Sequence, residues 1–342
     1  MSRLSRAQAQ ELNRARVLAA ARDEFAEHGF RNAKIDAIAE RAELTRGAVY
    51  SNFPGKRALY FAVLADLAEH APQPDTQWRG ETAREALGAF ALAWLARPPD
   101  GMGLHDEVLT GLQRPYTQLL KLNALLLALA LERLAPPEVT PGAPPRRLGR
   151  LAESVLTTLH GARQLAATAP GFVEPFDVVS ACERLAGLEL NDFWAPPTTA
   201  PPQPADEPWS PPKAVDAVRN QPARLDGDGV LVVVGPHRLG AIEDAVRSGS
   251  QVTAVLVTSD VDELAPLARL TVAELCGCLR QAFPRSAWPD LQLVHDESGA
   301  LAAAAGVPTV SDDTEVVVRI ENGRMVGATL PAYSSPGRYA AR

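Results

Sequence analysis

Residues 35–56 read IDAIAERAELTRGAVYSNFPGK, two short helical patterns separated by a turn-length gap. In the first, Ile35, Ile38, Ala39 and Ala42 recur at helical spacing and share one face, which is a packing face. The gap Ala42-Glu43-Leu44 follows, and Thr45 stands where a side-chain hydroxyl satisfies an orphan backbone N–H at a helix start. From Thr45 to Phe53 only Val49 and Phe53 are large and plainly apolar, one turn apart, so Arg46, Gly47, Tyr50, Ser51 and Asn52 face outward. A helix this thinly apolar is held by its neighbours and offers the rest of its surface. Two such helices are the smallest device that seats one helix in a DNA groove.

The pattern extends in both directions. Upstream, a helix is expected from Ala7 to His28, with Leu18, Ala21 and Phe25 on one face and Gly29 at the left-handed position that ends helices. Downstream, Gly55-Lys56 opens a fourth helix carrying Leu59, Val63 and Leu67, which ends near Ala71-Pro72 and bridges to whatever follows.

The run Arg46-Gly47-Ala48-Val49-Tyr50-Ser51-Asn52-Phe53, followed by Lys56 and Leu59, resembles the recognition helix and next-helix start of the TetR family of bacterial transcriptional regulators. Gly47, Tyr50, Phe53 and Lys56 match in type and spacing, and the likeness runs back through Phe25-Ala26-Glu27-His28-Gly29-Phe30, so it covers a head of residues 1–71. Two positions depart from the pattern. Ala33-Lys34 replaces the usual hydroxyl residue, giving a poorer cap but a phosphate-seeking charge, and Glu43 replaces the usual turn glycine, setting a carboxylate near the expected DNA surface. On a DNA groove, Arg46 suits a guanine edge. Thr45, Tyr50, Ser51 and Lys56 suit phosphates. Gly47 and Ala48 allow close approach, with the Ala48 methyl available to a thymine methyl. Asn52 has two readings, an adenine edge or a phosphate contact and cap.

Net charge is −7, which alone argues against a nucleic-acid partner. Residues 1–60, however, hold 11 Lys+Arg against 7 Asp+Glu, so basic character is confined to one end, as befits a nucleic-acid-binding head on a body that avoids it. The three cysteines, Cys182, Cys276 and Cys278, have the spacing of neither a disulfide framework nor a zinc site, and no metal or cofactor is expected. No apolar run approaches the ~18 residues of a membrane span, and the first residues lack a secretory signal's apolar region. A cytoplasmic protein is expected.

From residue 72 to 194 every strong signal is helical: Glu81–Ala96, Leu104–Gln113, Tyr116–Leu134, Arg146–Ala169 and Asp177–Phe193, with Pro115 expected to kink or split the pattern around it. The resemblance implies that this body binds a small effector and that its last two helices, Arg146–Ala169 and Asp177–Phe193, form a homodimer. Trp94, His105, Tyr116, Asn123 and His160 are its polar or aromatic candidates for effector contact, each with the alternative of a core or interface role. Ala195–Pro212 carries 8 prolines in 18 residues and reads as an extended linker; Trp209 within it is either an anchor docked on a domain or, the favoured reading, exposed or loosely packed.

Beyond it the grammar changes. Val230–Val234 and Gln251–Thr258 are continuous apolar runs of the kind buried strands show. Helical segments at Leu239–Arg247, Val261–Phe283 and Ser298–Ala305, a strand Leu291–His295, and a hairpin around Asn322-Gly323 complete an order β-α-β-α-β-α-β-β, an α/β sandwich with a mixed sheet. With VLVTSD, LQLVHDESGALAAAAGV and TEVVVRIENGRMVG in their places, residues 213–335 resemble the thioredoxin-like fold, especially its peroxiredoxin branch. Where that family carries its reactive cysteine, this chain has Gly235-Pro236-His237-Arg238-Leu239-Gly240, and Asp313-Thr314 stand at the family's proline. Cys276-Gly277-Cys278 lies in a helix, where residues two apart point roughly 200° away from each other.

The expectation is therefore a multidomain chain. A TetR-like all-α head and body carry a thioredoxin-like domain that lacks its chemistry. It is not an enzyme but a ligand-responsive regulator, a repressor that binds a palindromic operator in double-stranded DNA as a homodimer. The competing expectation is a redox-sensing regulator or thiol peroxidase that uses Cys276 and Cys278.

Overall fold

The computed structural model describes residues 5–72, 79–97, 103–135, 147–194 and 203–329. Four helices make the head: α1 (Arg6–Asn32), α2 (Ile35–Arg41), α3 (Arg46–Asn52) and α4 (Lys56–Glu69). Ser5 and Gln8 close a reciprocal capping box at the start of α1, and Gly29 takes the expected positive φ of 69° near its end. Helices α5 (Ala83–Leu95), α6 (Gln113–Leu134), α7 (Gly149–Thr168) and α8 (Pro175–Leu185) make the body. None of the described helices is long and apolar enough to cross a membrane.

Three expectations about the body are corrected. Residues 106–111 form turns and not a helix ending at Gln113. Pro115 falls in the first turn of α6, where its missing N–H was unpaired in any case, so it neither kinks nor splits anything. Helix α8 stops at Leu185, eight residues short of Phe193.

The second half contains β1 (Gln203–Pro208), the short pair β2 (Val215–Asp216) and β3 (Gln221–Pro222), β4 (Gly229–Val234), α9 (Gly240–Arg247), β5 (Val252–Leu256), α10 (Leu264–Ala282), β6 (Leu291–His295), α11 (Ala300–Ala304), β7 (Glu315–Glu321) and β8 (Arg324–Thr329). The six-stranded sheet has the order β1-β8-β7-β4-β5-β6; β4, β5 and β6 are parallel, and β7, β8 and β1 add antiparallel. From β4 onward the predicted order of elements is present, and Asn322 and Gly323 turn the last hairpin with φ of 51° and 70°.

The proline-rich stretch behaves otherwise than expected. Ala195–Pro202 lie outside the described residues, but Gln203–Pro208 add to the sheet as its edge strand, a place that tolerates proline. Trp209 is buried, its Nε1 donating to the Leu225 carbonyl at 2.7 Å.

Alternate residues of the central strands enter two different cores, which explains their unbroken apolar runs. Leu231, Val233 and Val255 face a small core with Trp209, Leu301 and Met325. Val232, Val234, Ala254 and Leu293 face α10. Behind α10 the same hydrophobic cluster continues through Trp94 and Leu126 of the body to Leu59 and Phe25 of the head. Helix α10 packs on α4, α5 and α6. Helix α4, expected to bury one stripe, consequently has every residue from Ala58 to Ala65 buried. Asn123 of α6 pins the junction, its Nδ2 donating to the Thr271 carbonyl of α10 at 3.0 Å. The helical half and the α/β half are thus packed around one continuous core.

Candidate nucleic-acid interface

The outward helix of the head is α3, and its support explains its orientation. Thr45 caps it, accepting from the Ala48 N–H at 3.2 Å. Val49 and Phe53 are buried, and the Arg14 guanidinium lies 4.4 Å from the Phe53 ring centroid while donating to the Asn52 carbonyl. Arg14 was not singled out from the sequence, where nothing distinguishes it from other α1 arginines.

Lys34 stands at the N-cap of α2 and, as anticipated, gives no side-chain cap. Relief comes from across the fold: the buried Glu24 carboxylate accepts from the Lys34 N–H at 3.1 Å and lies 3.5 Å from Arg41. Glu24, Glu27 and His28 are close enough to suggest a metal group among the described residues. Arg41, paired with Glu27 at 3.0 Å and lowering that carboxyl's pKa, accounts for the cluster without one. At the turn between α2 and α3, Glu43 adopts φ of 52°, the left-handed conformation that favours glycine, and its carboxylate is held by Arg16 at 2.7 Å.

The predicted residues do not all share one surface. Lys34, Thr45, Arg46, Gly47, Tyr50 and Ser51 are exposed, and Ala48 is half-buried among them. Arg46 pairs with Asp36 at 3.3 Å and lies over the Tyr50 ring at 5.5 Å; the tyrosine, then Asp36, favour its charged form. A side chain added at Gly47 would meet only the Thr45 hydroxyl at 3.8 Å, so the chain itself has no steric need for glycine there. What the glycine keeps open is the outer surface. Ser51 Oγ and Asn52 Nδ2 both donate to the Ala48 carbonyl, at 2.9 Å and 2.8 Å, so the Asn52 amide is turned back on its own helix. Lys56 also turns inward: Nζ donates to the Arg31 carbonyl at 3.0 Å, lies over the Phe30 ring, and burial lowers its pKa.

Of the five effector candidates, two touch, and a third, Tyr116, feels the same Glu274 charge. The Trp94 and His160 rings meet edge to face at 5.0 Å, and Arg163 lies 5.6 Å from the Trp94 centroid while pairing with Glu274 of α10 at 3.3 Å. Burial pushes Tyr116 up to about 12 and His160 down, and the Glu274 charge acts on both. Trp94 Nε1 and His160 Nε2 are buried without a hydrogen-bond partner among the described residues. Asn123 is the pin to α10 described above, and His105 is exposed on the turn before α6.

In the α/β half, Gly235 permits a close backbone approach: a Cβ there would sit 2.3 Å from the Asp312 carbonyl oxygen. The loop that follows is occupied, since His237 and Arg238 lie 3.6 Å and 3.5 Å from the Asp313 carboxylate. Cys276 and Cys278 are buried within α10, and burial pushes the Cys276 thiol up to about 12 and raises that of Cys278. Neither supplies a thiolate near neutral pH.

Residues 17–63 match the model of the bacterial regulatory proteins of the tetR family. Two curated proteins of Pseudomonas putida, the HTH-type transcriptional regulator SrpR and the uncharacterized HTH-type transcriptional regulator TtgW, are each 45% identical to the chain over 65 residues, 19% of its length. The match spans 30% of SrpR and 48% of TtgW, less than half of either. Among solved structures, a TetR transcriptional regulator from Rhodococcus sp. RHA1 is 19% identical with a TM-score of 0.32, over 52% of this chain and 94% of that one. RolR in complex with resorcinol is 21% identical with a TM-score of 0.32, over 55% and 100%. The N-terminal head is a helix-turn-helix domain of the tetR family.

Proposed function

We propose that the chain is a DNA-binding transcriptional regulator, a cytoplasmic repressor that reads a palindromic operator as a homodimer and releases it when a small effector binds. The observation that carries this reading is the outer surface of α3. Arg46, Gly47 and Tyr50 are exposed there while Val49 and Phe53 anchor the same helix, and the residues touching Arg46 hold it charged. One seven-residue helix makes too few contacts for a specific site, so the reading requires two heads about one helical turn (~34–36 Å) apart. A second copy has a surface to meet. Leu165 at the end of α7, Phe172 in the following loop, Phe176 in α8, and Leu188 and Phe193 beyond it are large, apolar and exposed.

The effector would act on the Trp94, Tyr116 and His160 cluster, whose two unpartnered ring nitrogens suit a polar ligand. Favouring one head spacing over another, it would change DNA affinity by its differential affinity for the two states. The α/β half serves in this reading as a thioredoxin-like module without catalysis; its element order and the absence of cysteine between Gly235 and Gly240 support that. The buried, protonated thiols of α10 weigh against the redox alternative.

A gel-shift series on DNA upstream of the gene tests the reading. It expects a palindromic footprint, binding at that site weakened selectively by Arg46→Ala, and a mass in solution of two chains. Equal affinity for random duplex and upstream DNA, or a monomer that binds as tightly, overturns it.

A further inference from the structure

A groove of about 340 Å³ opens where the C-terminal end of α4 meets the end of α10 and the β2–β3 turn. Four arginines line it, Arg79, Arg219, Arg280 and Arg285, with Glu69 the one carboxylate among the lining residues. In a chain of net charge −7 this local excess runs against the whole. Among the described residues only Arg219 is neutralised from behind, by Asp216 at 2.9 Å and Asp290 at 3.9 Å. Arg280 donates to the backbone carbonyls of Ala217 and Val218, and Arg285 rests over the Trp288 ring at 5.7 Å. The Nε atoms of Arg79 and Arg280 are buried without a hydrogen-bond partner among the described residues. Glu69 itself pairs with Arg269 at 3.6 Å.

The ends of α10 and of the following turn would ordinarily present carbonyl oxygens that repel an anion. Here they are occupied: the Ala282 carbonyl accepts from Gly80 N–H at 3.0 Å, that of Phe283 from Trp288 Nε1 at 3.2 Å and that of Pro289 from Arg219 at 2.6 Å. Apart from Glu69, the charged groups left at the groove are guanidinium donors.

We propose that this groove binds a phosphate-bearing small molecule. A phosphate group offers three acceptor oxygens and a charge of about −1.5 to −2, the complement of several converging guanidinium groups. The rest of the molecule has room. A second groove of about 530 Å³ continues past Asn220 and Arg280 and is lined in part by Ala214, Val215, Val294 and Leu301. Both grooves include Glu69 and His70, the last residue of the helix that carries the head and the residue that caps it. The site is distinct from the Trp94 cluster, and its occupancy does not depend on DNA binding.

Calorimetry of the full chain with inorganic pyrophosphate, at ionic strength balanced with chloride, tests the assignment. Saturable binding is expected, weakened about tenfold by Arg79→Gln or by Arg285→Gln and unchanged by Arg46→Ala on the DNA-facing surface. Arg79 is half-buried and Arg285 exposed, and thermal melts of the unliganded variants verify that both fold. No saturable binding at millimolar pyrophosphate, binding indifferent to both groove substitutions, or binding lost equally in Arg46→Ala overturns it. None of these results bears on the gel shift, which judges the DNA-binding reading separately.

Discussion

Replacing Glu43 with glycine should strengthen the DNA-facing surface and leave the fold intact. At φ of 52° the glutamate carries left-handed strain of about 1–2 kcal/mol. Its ion pair with Arg16, with the carboxylate 83% exposed, returns little of that. Glycine removes the strain but gives the unfolded chain about 0.4–1 kcal/mol of extra freedom. The balance lies between about zero and 1.6 kcal/mol in favour of Glu43→Gly, a melting shift of a few degrees at most. The larger effect is electrostatic. One carboxylate leaves the surface beside α3, and Arg16 is released to find a phosphate. For each phosphate newly neutralised the slope of log K against log salt steepens by about 0.9. Fluorescence anisotropy with a random-sequence duplex over a salt series reads this without knowledge of the operator, and Glu43→Gly combined with Arg16→Ala should return the slope to its starting value. A slope that is unchanged or shallower in Glu43→Gly, or a melting point lowered by more than a few degrees, refutes the placement of Glu43 on the DNA side.

Three further outcomes follow from buried and half-buried groups. Asn123→Asp sets a carboxylate against the Thr271 carbonyl and should cost several kcal/mol, whereas Asn123→Leu also removes an unpartnered Oδ1 and should stay within about 1 kcal/mol of wild type in urea titrations. Trp209→Ala empties part of the small core and should cost about 3–5 kcal/mol in the same assay, showing that the segment from Gln203 to Trp209 is structural. Burial, with a smaller push from Arg269, drives His295 down to about 4, so the unfolded chain takes up its proton first as pH falls below about 6.5. The stability His295 contributes is therefore complete above that value and lost progressively toward pH 4, and His295→Gln should flatten this part of the stability profile measured by chemical denaturation.

The head was legible because its decisive interactions are local. Thr45 caps three residues ahead, Val49 and Phe53 are one turn apart, and Gly29 and Asn322-Gly323 signal their turns by residue type alone. The strands after β4 were legible for a similar reason, being apolar on both faces. What escaped the sequence depends on distant partners. Nothing near Lys56 says that the Arg31 carbonyl will hold it, and nothing near Lys34 says that Glu24 will stand in for a missing cap. Pro115 stands inside a continuous helical pattern, and nothing in that pattern signals that α6 begins two residues before it, at Gln113. The all-round burial of α4 could not be read from its own pattern, since the helix that covers it lies in the other half of the chain.

That last contact bears on the order in which the protein is made. Helices α4, α5 and α6 leave the ribosome with the surface meant for α10 still bare, and α10 begins roughly 130 residues after α6 ends. At about 5–20 residues per second, synthesis leaves those apolar faces waiting on the order of ten seconds for their cover. During that interval the head and body must be shielded by a chaperone or risk association with other nascent chains. The apolar faces of α4, α5 and α6 are thus completed only when the C-terminal half of the chain arrives.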